Sequence, residues 1–290
     1  MNVDLIDGTY ELFRHHYGLP SAVREAGSRT AATRGVLTTV VVMLEQGATH
    51  VGVATDHVIE SFRNEMWPGY KSSLGMPEDL LAQFTLLEDG LRAAGITVWA
   101  MVEQEADDGL AAAAKMAHAD RKVDQVRIHT VDKDLAQCVE GNRVVQVNVR
   151  KKLVLDEAAV REKYGVLPAS IPDWLGLVGD SADGYPGLPG WGAKSTAAVL
   201  RRYEHIENVP ARGERWDVHV SGAKRLAAVL AERMEEALLF RDLATLRTDT
   251  DVGTVDAMRW RGPTSDLPAI CEQINADGLL RRYEAVAEKL

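Results

Sequence analysis

Glu105, Asp107 and Asp108 fall within one four-residue stretch, EADD, and Asp132 and Asp134 flank Lys133 just after the run QVRIHTV. A helix start tolerates an acid or two, because its exposed N–H groups and its dipole favour negative charge. Three acids in one turn repel each other unless something positive sits among them. A divalent cation is the simplest compensation, since hard ions such as Mg²⁺ and Mn²⁺ take oxygen ligands. On a helix Glu105 and Asp108 share a face and Asp107 points to the side. In an extended segment Asp132 and Asp134, two apart, would share a face and could meet one ion. Each motif also has a plainer reading: ordinary helix-start acids for EADD, and a helix N-cap beside a solvated acid for DKD. Two further acids close apolar runs, Asp7 after NVDLI and Asp56 after THVGVAT. Each is weak alone, and Asp7-Gly8 reads most simply as a turn.

The second cluster is GDSADGYPGLPGWGAKS. Asp180 and Asp183 lie three apart, on one face if that segment is helical. Gly187, Gly190 and Gly192 then form GxxGxG, followed by Lys194 and Ser195 at the start of a helix. Glycines let a backbone approach a phosphate, and helix-start N–H groups bind it. A dinucleotide fingerprint does not fit, because no strand precedes the glycines and the carboxylates lie upstream. A helix–hairpin–helix gripping a DNA backbone fits better; a Gly/Pro-rich loop without function is the plain alternative.

The elements that must position these residues alternate. Residues 2–6, 49–55, 96–101, 125–131 and 143–149 read as strands, with helices at 9–17, 33–47, 80–95 and 105–119 between them. That alternation predicts an α/β fold with a parallel, doubly wound sheet, whose ligands sit outside the carboxyl ends of its strands. Asp7, Asp56 and Asp132 each follow a strand and Glu105 lies four residues beyond one, so the acids are expected to converge. Residues 21–30 read as a polar loop. Residues 57–80, with Pro68, Gly69, Gly75 and Pro77, admit no long helix. Beyond about residue 165 the chain is helical. The expected division is an α/β domain over 1–165 and a helical domain over 166–290.

The formal charge of −10 argues against a broad basic face. Nine of the acids belong to the assigned site, and without them the charge would be about −1. A nucleic-acid enzyme is therefore still allowed. Cys138 and Cys271 are read as reduced thiols of a cytoplasmic protein. No apolar run approaches the ~18 residues of a membrane helix.

Together these motifs resemble the bacterial 5′ nucleases: flap endonucleases and the 5′–3′ exonuclease domain of DNA polymerase I. Along almost the whole chain, IDG at 6–8 with Arg14, Asp56 followed by SFRNE, GYK at 69–71, EADD, VDKDL, GDSADGYPG and GLPGWGAKS stand in the family's order. The resemblance implies a PIN-like, mostly parallel sheet with a helix–hairpin–helix region, and two-metal hydrolysis of DNA near a 5′ end, flap or nick in replication and repair. It implies that Asp7, Asp56, Glu105 and Asp107 hold one metal. Asp107 would bridge to a second ion held with Asp132, Asp134 and Asp183, and Asp108 and Asp180 would be outer-shell ligands. Lys71 and Arg14 would act on the scissile phosphate. Arg63 and the hairpin residues Gly187, Gly190, Gly192, Lys194 and Ser195 would touch DNA, with K⁺ held at the hairpin. Residues 63–80 would form an arch for a single-stranded 5′ end. The partner is DNA, or a duplex with an RNA strand, and the protein is expected to be a monomer.

Two positions depart from the family. Leu74 stands where an arginine is usual after the arch lysine, and Gly184 replaces an asparagine after Asp183. Two rival functions remain. One is a structure-specific DNA-binding protein with weak catalysis, against which the complete acid set speaks. The other is a small-molecule phosphatase, against which the glycine hairpin speaks.

Overall fold

The computed structural model describes residues 1–20, 22 and 28–290. Most of the expected polar loop at 21–30 lies outside the described residues. In chain order the elements are β1 (Asn2–Asp7), α1 (Gly8–Tyr17), α2 (Ala31–Glu45), β2 (Val51–Asp56), α3 (Phe62–Met66), α4 (Glu78–Leu81), α5 (Gln83–Ala93), β3 (Thr97–Met101), α6 (Ala106–Ala119) and β4 (Gln125–His129). A 3₁₀ turn (Asp134–Cys138), β5 (Val144–Asn148), β6 (Leu153–Leu155), α7 (Glu157–Tyr164), α8 (Ile171–Val178), α9 (Ala193–Tyr203), α10 (Ala223–Glu232), α11 (Met234–Ala244), α12 (Leu267–Gln273) and α13 (Asp277–Ala287) follow. The chain divides into two compact units.

The first unit comprises residues 1–59, 73–130 and 247–290. Its strands lie in the order β3-β2-β1-β4, all parallel, with Ile6 opposite Val53 and Asp4 opposite Arg127. Parallel strands covered on both faces carry continuous apolar runs, and every residue of β2 is buried. The β-branched run of α2 stays helical because Val36, Val40 and Val41 are buried in a core with Leu87 and Leu91 of α5. Packing there outweighs weak intrinsic propensity. The C-terminal helices join the same core through Cys271, Leu279 and Tyr283. α6 lies on the sheet through Ala111, Ala112, Ala113 and Ala114, all buried; such small side chains permit a close approach. The expected helix over 80–95 is broken at Ala82, with α5 beginning at Gln83.

One charge cluster in this unit has no counterpart in the sequence reading. Asp4, almost fully buried, accepts a hydrogen bond from Arg127 Nη2 at 2.6 Å and meets His129 Nε2 at 2.7 Å. Burial pushes its carboxyl up, but His129 and Arg127 together outweigh that and hold it below the usual 3.8. A carboxyl with a depressed folded pKa contributes stability above its unfolded pKa and loses it as pH falls through the folded value. Asp4→Ala is therefore expected to cost about 3 kcal/mol at pH 7, the low end for breaking a buried pair, because Arg127 reaches solvent. Urea unfolding should show the gap between variant and parent closing below about pH 4; a pH-independent gap would mean that lost packing, not charge, carries the effect.

The second unit comprises residues 60–72 and 131–246. β5 and β6 form an antiparallel pair. β6, three residues long, is too short to show alternation in sequence. The unit's core gathers Trp174, Leu175, Leu188, Trp191, Val199 and Phe240. α8 and α9 are joined by the glycine-rich segment 179–192.

Candidate metal centre and nucleic-acid hairpin

In the sheet unit, Asp7 and Asp56 end neighbouring parallel strands, and Glu105 is the N-cap of α6. Asp7 caps α1, its Oδ1 accepting from the Tyr10 N–H at 2.8 Å and its Oδ2 from the Thr130 hydroxyl at 2.8 Å. Asp7-Gly8 is thus a strand-to-helix junction and not a turn. Asp56 Oδ1 accepts from the Ala106 N–H at 2.7 Å, which ties the end of β2 to the start of α6. Glu105 is buried and Asp107 half-buried. Asp108 is also a structural clamp. It is fully buried, and its two oxygens accept from the backbone N–H groups of Glu105 (2.9 Å) and Arg247 (2.8 Å). It clamps the helix start through both oxygens.

The helical unit carries the tighter cluster. Among the described residues, Asp134, Asp180 and Asp183 form a set whose ligand oxygens all lie within 4.8 Å of one another. The expected extended DKD segment is not found. Lys133 has helical angles (φ −72°, ψ −25°), Asp134 opens the 3₁₀ turn, and Asp132 Oδ1 accepts the Asp134 N–H at 3.0 Å. Asp132 is exposed and Asp134 buried, so the two do not share a face; Lys133 is the N-cap of the turn and makes no side-chain cap bond. Nor are Asp180 and Asp183 helical. A tight turn holds them, with Asp180 N–H donating to the Tyr185 carbonyl (2.8 Å) and the N–H groups of Gly184 and Tyr185 donating to the Asp180 carbonyl (2.9 and 3.0 Å).

Two lysines neutralise this cluster. Lys133 pairs with Asp180, and Lys71 Nζ lies 3.2 Å from Asp183 Oδ1. Burial pulls the Lys133 ammonium down, but Asp180, Asp134 and Asp132 raise it overall. Asp134 is pushed well above the usual carboxylate range, first by burial and then by Asp132, Asp183 and Asp180. Its Oδ1 is buried without a hydrogen-bond partner. Converging oxygens, mutual repulsion and an orphaned carboxylate oxygen fit a hard divalent cation.

Lys71 is fixed at this cluster by backbone as well as charge. Its N–H donates to the Asp183 carbonyl (3.0 Å), and Trp67 Nε1 donates to the Gly184 carbonyl (3.0 Å). Gly184 has φ +86°, and a Cβ there would stand 1.9 Å from the Gly69 carbonyl oxygen. An asparagine does not fit while 67–71 lies so close, which accounts for the departure at this position. Arg63 is corrected. It is completely buried, donating through Nε to the Leu243 carbonyl (2.8 Å) and through Nη2 to the Thr245 carbonyl (3.2 Å). It satisfies the C-terminal end of α11 and its flank and presents no charge to a nucleic acid. Arg14 is bonded to Glu11 through Nε (3.0 Å) and Nη2, with His15 Nε2 at 2.9 Å.

In the hairpin, Gly187 is buried with φ +67°, and a Cβ on it would lie 2.4 Å from backbone atoms of Val178 and Gly179. It lets the turn close onto α8. Gly190, Gly192 and Lys194 are exposed. Ser195 Oγ reaches back to Gly192, closing the first turn of α9 (3.2 Å to the N–H, 2.9 Å to the carbonyl). Lys133, which pairs with Asp180, carries no signal in the sequence beyond its place between two acids. Burial first, then Asp132 and Asp134, pushes the Tyr164 phenol up to about 12.

Two family profiles match the chain: the 5′-3′ exonuclease N-terminal resolvase-like domain over residues 2–165 and the 5′-3′ exonuclease C-terminal SAM fold over residues 166–266. A 5′-3′ exonuclease of Buchnera aphidicola is 32% identical, covering 87% of this chain and 83% of its own length. DNA polymerase I of Pseudomonas aeruginosa is 35% identical over 86% of this chain, which spans 27% of that polymerase; for the polymerase of Bacillus caldotenax the span is 32%. Among solved structures, the bacteriophage T5 D15 flap endonuclease in a complex with DNA and metal ions superposes with a TM-score of 0.66 at 18% identity, over 99% of this chain and 98% of that one. The catalytic core of Rad2 in complex with DNA substrate gives 0.64 at 15% identity, over 98% and 91%. The last two share the fold. A resolvase-like α/β part carrying carboxylates, followed by a SAM-like helical part, defines the class. The chain belongs to the 5′-3′ exonuclease family, as its motifs implied.

Proposed function

We propose that this chain is a structure-specific 5′ nuclease, hydrolysing DNA phosphodiester bonds near 5′ ends, flaps and nicks in replication and repair. The observation that carries the reading is the Asp134–Asp180–Asp183 cluster with its orphaned Asp134 oxygen, in a chain of this family. Mg²⁺ or Mn²⁺ would supply Lewis acidity and lower the pKa of water. Asp134, Asp180 and Asp183, with Asp132 beside them, would hold one ion; Asp7, Asp56, Glu105 and Asp107 would serve the other. A cation taking Asp183 would release Lys71 to stabilise charge on the scissile phosphate, with Arg14 as a second phosphate contact. Residues 166–290 would then supply Asp180 and Asp183 to the chemistry as well as the grip on duplex. The exposed hairpin at Gly190, Gly192 and Lys194, opening α9, would offer backbone N–H groups to a phosphate, with K⁺ on its carbonyls. We take the protein to act as a cytoplasmic monomer. Among the described residues no helix is long and apolar enough to cross a membrane. The test is a 5′-flap duplex labelled at either end: cleavage near the junction with Mg²⁺ or Mn²⁺, none in EDTA. Metal-independent products, or binding without products, would overturn the reading.

Leu74 bears on substrate preference. It is 93% exposed, so it is not a packing residue of its segment, and the buried Arg63 does not replace the charge. One phosphate contact fewer should flatten the salt dependence of flap binding by ~0.7–0.9 in log–log slope. Leu74→Arg is expected to speed single-turnover cleavage of a long 5′ flap more than that of a nick, which needs less threading. Equal gains on both substrates at two salt concentrations would remove Leu74 from substrate choice.

A further inference from the structure

In the helical unit the ends of α7 and α9 border a cavity of about 270 Å³. Gly165, the left-handed C-cap of α7 (φ +77°), makes this approach possible, since a Cβ on it would stand 2.8 Å from Ala197 Cβ. Val166, Leu167 and Leu200 form the apolar side of the cavity. Arg161, Arg201 and Glu204 supply its charge, two guanidiniums against one carboxylate. Cations in the last turn of a helix ordinarily complement its dipole, and the other two here have partners. Arg202 pairs with Asp217, and Lys163 Nζ lies over the Tyr164 ring at 4.7 Å. Arg161 and Arg201 differ: among the described residues neither meets a carboxylate within ion-pair distance, and Arg201 donates through Nε to the Gly165 carbonyl at 3.3 Å. Glu204 is held in a strained turn, φ +65° and ψ −50°, with the His205 N–H donating to the Tyr203 carbonyl at 2.8 Å. That is a γ-turn of the rare hand, and such strain concentrates at binding sites.

We propose that Arg161 and Arg201 form a phosphate subsite, two guanidiniums sharing one tetrahedral oxyanion over an apolar floor. Guanidinium matches phosphate in geometry and charge, and its hydrogen bonds to phosphate are charge-assisted. The cavity has the room, since a water takes only about 30 Å³ of liquid. Two unpaired guanidiniums on one small cavity repel each other, and an anion between them removes that cost. The subsite shares no residue with the acid cluster or with the exposed hairpin. Two sources supply such an oxyanion, a nucleic-acid backbone and free inorganic phosphate. The backbone is favoured, because α9 opens at the hairpin and Arg201 lies seven residues beyond Lys194. That spacing puts the two cations on one helix face, about 10 Å apart along the axis. A duplex held at the hairpin is then gripped at a second point. The backbone as source rests on the nuclease reading above; the oxyanion seat does not.

The experiment is thermal unfolding of the whole chain titrated with inorganic phosphate, at constant ionic strength in chloride and without divalent metal. Wild type should melt higher as phosphate rises, because an anion that binds only the folded state stabilises it by mass action. Arg161→Gln and Arg201→Gln should each move the midpoint of that response up about tenfold, the loss of one charged hydrogen-bonding partner. Their phosphate-free melting temperatures should stay within about 2 °C of wild type, since both side chains are exposed. Arg202→Gln, one residue on and paired with Asp217, should leave the midpoint within about twofold. Binding of a 5′-flap duplex in EDTA at several salt concentrations then assigns the source. A log–log slope shallower by ~0.9 in Arg201→Gln assigns the seat to the duplex backbone. An unchanged slope beside a weakened phosphate response assigns it to free phosphate. A wild type that does not respond to phosphate overturns the proposal. So does a response that the two arginine variants keep, or one that Arg202→Gln weakens equally. Flap cleavage with Mn²⁺ tests the nuclease reading on its own, since neither arginine is among the proposed metal ligands.

Discussion

Asp134→Asn should yield a protein that melts higher than its parent in EDTA yet cleaves a 5′ flap on the order of 10³-fold more slowly, the scale of losing a charge-stabilising group from a buried site. Both effects come from one cause. Without a cation, Asp134 is a buried carboxyl among Asp132, Asp180 and Asp183, and those neighbours and burial disfavour its charge. An amide removes one of the repelling groups and preserves the shape. With a cation, the same negative charge is what the ion needs. The gain in EDTA should therefore reverse at saturating Mn²⁺, where wild type is stabilised and the variant is not. Melting curves with and without Mn²⁺, and single-turnover rates, decide it. A variant less stable than wild type in EDTA, or one that cleaves at the parental rate, would show that Asp134 is an ordinary buried residue of its 3₁₀ turn.

Lys71→Ala should lower the single-turnover rate about 10²–10³-fold while changing duplex affinity little, because a charge aimed at the scissile phosphate acts mainly as the transition state forms. The metal-free contact with Asp183 adds a second expectation. Removing the ammonium takes away a competitor for that carboxylate, so the variant should take up Mn²⁺ no less tightly than wild type. Slow chemistry with intact metal uptake separates this lesion from Asp134→Asn, in which both fail. If rate and Mn²⁺ uptake fall together, Lys71 holds the turn at Asp183 and has no part in the chemistry.

These expectations draw on the chain at different levels. The family and the order of its elements were legible in the sequence, because each motif combines a strand end with an acid, and local pattern determines where strands end. β1, β2, β3 and β4 appear where apolar runs predicted them, and Asp7 and Asp56 sit at their ends. What each acid does was not legible. Asp108 carries the same side chain as the half-buried Asp107 next to it, but lies fully buried between two backbone donors and clamps the helix start. Arg63 reads as an available cation in a polar stretch, yet its guanidinium is fully enclosed among carbonyls from residues 243 and 245. Those partners lie far along the chain, and no local pattern announces them.

The same division holds at the second cluster. The sequence by itself determined that Asp134, Asp180 and Asp183 exist in motifs suited to a hard cation, and that a glycine hairpin precedes α9. It implied a shared extended face for Asp132 and Asp134 and a helical face for Asp180 and Asp183, and neither occurs. Only the tertiary structure decided that Asp134 turns inward while Asp132 stays out, that a tight turn closed by Gly184 aims Asp180 and Asp183 at it, and that Lys71 and Lys133 pair with these two acids. The physical reason is that charge and spacing are properties of a segment, whereas burial, and the pairing that burial makes necessary, belong to whatever the rest of the chain brings alongside it.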